Sequence, residues 1–204
     1  MADFERALND ISAIRVQIAR RTLFRGYGPA TLAVTGILAL LAAEVQSIWI
    51  LNPATEVPSY LGLWIATATA SVIIIGIEAV TRSRRVHSGL ADEMIQSAVE
   101  QFLPAAGAGV LLTLVILRFA PESLWMLPGL WQIVFSLGIF ASCRSLPRPM
   151  NAIGLWYLGT GLACLVFAKD VHAFSAWAMG TPFGVGQLLA AALLRRVGGR
   201  DEQE

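Results

Sequence analysis

The sequence predicts an all-α membrane protein, a six-transmembrane-helix bundle preceded by an amphipathic helix, and three observations carry that expectation. The chain of 204 residues is 56% hydrophobic and only 14% charged, whereas soluble domains carry about 25% charged residues. Its mean hydropathy is +0.64, so much of its surface must face lipid rather than water. Six apolar runs, near 28–51, 60–81, 97–118, 122–143, 150–168 and 173–194, each approach the ~20 residues that cross a hydrocarbon layer. A β-barrel would instead show ~10-residue alternating segments.

Residues 1–27 come first and carry both charge signs, unlike a secretory signal, whose basic stretch directly precedes its apolar core. Phe4, Ala7, Ile11, Ile14 and Ile18 recur at spacings of three and four, which predicts an amphipathic helix over 3–24. Asp3, Glu5 and Asp10 fall early and the arginines late, as the helix dipole favours. Such a helix lies on the inner leaflet, caps the bundle, or docks a cytoplasmic partner. A second cytoplasmic segment near 88–96, with Leu90, Met94 and Ile95, is expected to run straight into the third span.

Basic residues set the orientation. Thirteen arginines lie before the first span, after the second, after the fourth, and after the sixth; only Arg118 and Lys169 fall on the other side. The positive-inside rule makes the arginine-rich side cytoplasmic, so both termini are expected in the cytoplasm. Trp49, Trp64, Trp125 and Trp156 stand near expected helix ends, where indoles anchor to the interface; Trp131 and Trp177 lie deeper. Pro104 and Pro182 interrupt the third and sixth spans and Pro128-Gly129 the fourth, and neighbouring helices or waters must satisfy the carbonyls they free.

A weak internal repeat relates the two halves. Leu61-Gly62-Leu63-Trp64 matches Ile153-Gly154-Leu155-Trp156, and Gly107-Ala108-Gly109-Val110-Leu111-Leu112 matches Gly184-Val185-Gly186-Gln187-Leu188-Leu189, with a proline upstream of both. The expected organisation is therefore a cytoplasmic helix over 1–27, spans one to three over 28–118 with a cytoplasmic linker at 82–96, spans four to six over 119–196, and a tail over 197–204. Three spans per unit would insert the second half upside down, a construction common in transporters.

Glu44 is the leading candidate functional residue, because a carboxylate inside a span costs about 2.5–3.5 kcal/mol on insertion scales. It either titrates on a solute or ion path or packs as a hydrogen-bonded structural group. Gln187, the most polar residue of the sixth span, joins Gly107, Gly109, Gly184 and Gly186 at an expected crossing of spans three and six, where small residues permit close approach. Glu100, at the cytoplasmic mouth of span three, lines an entrance or simply solvates a helix end. Glu78 stands four residues before Arg82, the favourable orientation for an ion pair.

Several classes are excluded or disfavoured. Two cysteines make no disulfide framework; Cys143 at a cytoplasmic end and Cys164 deep in the next span lie roughly 20 Å apart. His87 and His172 fall on opposite faces, which disfavours a bis-His haem. There is no metal-spaced Cys/His cluster, no phosphate-binding glycine loop and no nucleophile elbow. No catalytic residue, cofactor, metal or nucleic-acid partner is expected, and an enzyme is the weakest class.

The stretch Ala13-Ile14-Arg15 through Phe24-Arg25-Gly26-Tyr27-Gly28-Pro29-Ala30-Thr31 is similar to a group of small uncharacterised bacterial six-helix inner-membrane proteins. That resemblance covers about a tenth of the chain, implies a bacterial inner membrane, and supplies no activity or site. Two functions fit the sequence. One is a small-solute or ion transporter or channel with Glu44 as titratable group, a chain short enough that a homodimer would help enclose a path. The other is a non-transporting sensor or accessory subunit that docks a partner through residues 3–24.

Overall fold

The computed structural model describes residues 28–85, 90–142, 149–168 and 172–201, with side chains outside 82–98 and 197–201. The expected amphipathic helix over 3–24, Cys143, His87 and Lys169 lie outside the described residues. Six helices follow one another: α1 (Pro29–Trp49), α2 (Val57–Arg85), α3 (Leu90–Phe119), α4 (Leu127–Ser142), α5 (Met150–Phe167) and α6 (Ala176–Asp201), with a 3₁₀ turn at Pro121–Met126 leading into α4. Each helix, α4 together with that turn, is long and apolar enough to cross a membrane. The chain is a polytopic all-α membrane bundle, and no strand occurs among the described residues.

Proline chemistry places several helix boundaries. Pro29 opens α1 behind an extended Gly28, where a missing N–H costs nothing. Pro128 falls in the first turn of α4, so the break expected inside the fourth span is instead a helix start after the 3₁₀ turn. The linker expected at 82–96 is shorter than its sequence range, since α2 runs to Arg85 and α3 begins at Leu90. Short connections make successive helices antiparallel. One end of the bundle thus holds the end of α2 and Arg195 and Arg196 of α6; we term it the basic end.

Packing is uneven around the bundle. The most extensive contacts are α1 with α6 and α4 with α5, followed by α3 with α4; α1 with α2 and α5 with α6 come next, while α2 and α3 barely touch. Small residues explain the closest crossings. A Cβ placed on Gly180 would collide with the Ala43 Cβ, and one on Gly36 would stand 3.0 Å from the Gly184 carbonyl. Gly129 and Gly161 face each other across α4 and α5, each 2.8 Å (from an added Cβ) to the other's carbonyl oxygen. In lipid, where apolar burial gives no net drive between helices, such backbone approach supplies the association energy through dispersion.

Aromatic rings fill the centre. Phe102 of α3, Phe135 of α4, Tyr157 of α5 and Phe183 of α6 meet ring to ring, with centroids 4.8 to 5.5 Å apart and mostly edge-to-face. Four helices therefore contribute one ring each to a closure about midway through the bundle.

Candidate functional site

The densest polar arrangement surrounds the proline of α6. Pro182 lies inside that helix and, lacking an N–H, leaves the Ala178 carbonyl without its helical donor. A carbonyl stranded in hydrocarbon would cost several kcal/mol. Gln132 of α4 replaces the lost donor: its Nε2 donates to the Ala178 carbonyl at 3.0 Å and to the Pro128 carbonyl at 3.1 Å. One turn further along α6, Trp156 Nε1 donates to the Pro182 carbonyl at 2.9 Å, and the Tyr157 hydroxyl donates to the Phe183 carbonyl at 3.4 Å. The Tyr157 ring also lies against Gly186, the residue before Gln187. Three carbonyls of α6, on two successive turns, are thus engaged by side chains of α4 and α5.

A second polar group lies toward the end opposite the basic one. Gln46 of α1 is buried, donates through Nε2 to the Phe174 carbonyl at 2.7 Å, and accepts from Trp64 Nε1 of α2 at 2.7 Å. Beside it the Tyr60 ring packs edge-to-face on Phe174 with centroids 5.0 Å apart. Trp64 is therefore not the interface anchor its position near a helix end suggests; it is 4% exposed and ties α2 to α1. Trp49, 79% exposed at the end of α1, does suit an interfacial place.

Two polar atoms in this region have no partner. The Tyr60 hydroxyl and the Gln132 Oε1 are buried without a hydrogen bond, and both residues are 0% exposed. The orientation of the Gln132 amide is set by its two carbonyl acceptors, because a flip would press Oε1 against both. Such groups are uncommon in a folded interior, where an unsatisfied donor or acceptor costs about 1–3 kcal/mol.

The residues singled out in the sequence are distributed as follows. Gly184 abuts Leu40 of α1, Gly186 abuts the Tyr157 ring, and the Gln187 Cβ lies against Gly36, so these three do meet at the middle of α1, α5 and α6. Gly109 faces Val134 of α4, and Gly107 has open space beside it. Gly109 thus belongs to the α3–α4 side, and α3 and α6 share no extensive contact among the described residues, so the expected crossing of these two helices does not form. Glu44 lies on the exposed face of α1, between Leu41, Val45 and Ile48, which are also exposed. Glu100 is exposed near the basic end of α3. Glu78 accepts a hydrogen bond from the Gly28 N–H at 3.2 Å, so its carboxylate sits at the N-terminus of α1, where the helix dipole favours negative charge.

Sequence reasoning missed Gln132, Tyr60 and Tyr157 and did not foresee that Gln46 is buried. One signal was present: Pro182 demands an outside donor for the Ala178 carbonyl, and Gln132 is the only amide side chain in α4. No group of three or more His, Cys, Asp or Glu residues that could hold a metal occurs among the described residues. No protein-family model, no curated protein and no solved structure matches the chain.

Proposed function

We propose that this chain is a gated passage for a small solute in a bacterial inner membrane, with the basic end and both termini in the cytoplasm. The observation that carries the proposal is the α6 segment from Ala178 to Gln187, where a proline-broken backbone is held by side chains of α4 and α5 next to the aromatic closure. Interrupted helices at membrane depth recur at transporter sites, because their freed backbone groups can exchange partners. Bonds from side chains can be traded for bonds to a solute at little cost, which bonds inside an unbroken helix cannot. The closure of Phe102, Phe135, Tyr157 and Phe183 is then the gate in its shut state.

An inverted repeat of 28–118 and 119–196 has one pair of contacts in its favour and two against it, since α4–α5 is more extensive than its counterpart α1–α2 and α5–α6 more than α2–α3. Exchanging the halves turns the α1–α6 contact into the α4–α3 contact, and both are extensive. In a single chain the path would run past Tyr157 and Gln187 rather than Glu44, which stands on the outer face.

The test is flux into liposomes reconstituted with purified protein, using protons, sodium, potassium and urea in turn. Phe135→Ala, which thins the closure, is expected to raise the flux of at least one of these several-fold over wild type. Flux equal to that of protein-free vesicles for both proteins, across all four, would sink the transport role.

Glu44 favours a second reading, an accessory subunit. A carboxylate on an apolar membrane face is costly unless a partner covers it, and a second copy or another membrane protein laid against α1 would do so. Glu44→Leu is then expected to change the oligomeric state, or to release a co-purifying protein, while leaving flux unaltered.

A further inference from the structure

From two polar side chains on the lipid side of the α1–α6 crossing we infer an interaction surface for a second copy of this chain, in which Glu44 of each copy accepts a hydrogen bond from the partner's Thr181. The inference deepens the accessory reading by naming what covers Glu44, and it rests on that reading's premise that the carboxyl is covered.

The placement follows from the most extensive helix pair. A Cβ on Gly180 would collide with the Ala43 Cβ, so these two residues lie at one level. Glu44 and Thr181 are the next residues along their chains, and each residue turns a helix by about 100°. Because α1 and α6 run antiparallel, the two steps carry both side chains to the same side of the plane that holds the helix axes. Both residues are exposed, so that side faces lipid. Ile37, Leu41 and Leu188 follow the contact positions Gly36, Leu40 and Gln187 in the same way, and each is exposed. Two helices thus build one largely apolar face that carries a carboxyl and a hydroxyl at one depth.

Neither group is satisfied within the copy that carries it. The hydroxyls of Thr67, Thr69, Thr113 and Thr160 bond back to a carbonyl of their own helix. The Thr181 hydroxyl and the Glu44 carboxyl have no hydrogen-bond partner among the described residues. Lipid tails offer neither a donor to the one nor an acceptor to the other. The carboxyl oxygens and the hydroxyl hydrogen are opposite in charge, so the face is complementary to itself. A second copy inserts the same way up, and a two-fold axis along the membrane normal keeps every residue at its own depth. That rotation lays α1 over the partner's α6 and forms the contact twice, Glu44 on the partner's Thr181 and Thr181 on the partner's Glu44. A second copy therefore brings both the missing donor and the missing acceptor, at the spacing required.

Sedimentation equilibrium of the purified full chain in detergent micelles reads the association. Glu44→Leu and Thr181→Val alter only lipid-facing side chains, so the packed interior is untouched. Wild type is expected to be a dimer. Either variant should weaken it about tenfold or more, because each substitution removes both symmetry-related bonds. Mixing the two variants, each with its own fluorescent label, separates a bond between copies from one within a copy. Each homodimer has lost both bonds, whereas the mixed dimer keeps one, from Thr181 of the Glu44→Leu copy to Glu44 of the Thr181→Val copy. The mixed dimer should therefore form several-fold more tightly than either homodimer. A monomeric wild type overturns the inference, and so does a dimer that neither variant weakens. If both variants weaken the dimer and mixing restores nothing, the bond lies within one copy and the inference is again overturned. A monomer that releases a different membrane protein on Glu44→Leu removes this inference and leaves the accessory reading standing. Flux abolished by Glu44→Leu, with the mixed dimer still favoured, removes the accessory reading and leaves the contact.

Discussion

Helices α1, α4 and α6 and helices α2 and α3 are built on different terms. In the spans of the first three, 39% of the most apolar window is buried; in α2 and α3 the share is 11%. The first group, with α5, is joined by glycine-to-backbone crossings, in which helices touch along their main chains. By contrast, α2 packs chiefly its first turns into the core, through Tyr60, Leu61 and Trp64, and makes two polar contacts with α1 or its approach, Trp64 on Gln46 near one end and Glu78 on the Gly28 N–H near the other. Its own glycines, Gly62 and Gly76, have nothing beside them. Shape holds one set of helices and a few polar clasps hold the other, so the same kind of substitution should have opposite consequences in the two regions.

Glycine replacement gives the largest expected difference. Gly180→Leu drives a side chain into the Ala43 Cβ, and Gly129→Leu drives one into the Gly161 backbone. Neither obstacle is a flexible side-chain end, so the helices must separate, at about 3 kcal/mol each. Gly62→Leu and Gly76→Leu meet open space and should fall within about 0.5 kcal/mol of wild type. Equilibrium unfolding in mixed micelles measures all four, and equal losses in both regions would dissolve the distinction drawn here.

A sharper version addresses the clasp on the α6 kink. Gln132→Leu removes the only described side-chain donor to the Ala178 carbonyl and is expected to cost about 2 kcal/mol. Pro182→Ala restores an N–H at position 182, so in that background the loss should fall by about 1 kcal/mol, the signature of coupled sites. A double-mutant cycle on the same unfolding equilibrium reads this directly. Additive losses would mean that Gln132 stabilises α4 alone.

Gln46→Leu tests the first of the two clasps on α2. It deprives the Phe174 carbonyl and the Trp64 indole of their shared partner, with an expected cost of about 1–2 kcal/mol. Because Trp64 would be freed from its acceptor, its fluorescence emission should shift as well, while substitutions in α6 should leave that emission alone.

These contrasts show what the sequence could and could not convey. Span number, approximate limits and the need for donors near Pro182 follow from hydropathy and from the missing proline N–H, and the structure bears them out. Helix faces do not. Glu44 and Gln46 are two residues apart on a helix that is apolar nearly all round, so no periodic pattern distinguishes the inner side from the lipid side. Charge drew attention to Glu44, yet the structure turns it outward and buries Gln46. Lipid is as apolar as a helix interface, and the burial signal that orients soluble helices is therefore weak here. The orphaned Tyr60 and Gln132 atoms were beyond reach for the same reason, since they depend on which faces of four helices meet.

Glu78 is the smallest and most discriminating of the α2 contacts. Its spacing from Arg82 suggests an ion pair along one helix, a pairing whose Arg82 side chain lies outside the described ones, and the structure also gives it the first free N–H before α1. Glu78→Gln keeps an acceptor oxygen in place but removes the charge facing the α1 dipole. The expected loss is about 0.5 kcal/mol at low salt, fading as ionic strength rises, because dipole contacts at helix ends are screened. Glu78→Leu removes the acceptor too and should cost more at every salt concentration. A pair with Arg82 predicts something different: Arg82→Gln would then reproduce the Glu78→Gln loss, whereas a clasp on α1 leaves Arg82→Gln near wild type. Measuring the three variants at two salt concentrations decides whether α2 is fastened to its neighbour at this end or merely ornamented with charge.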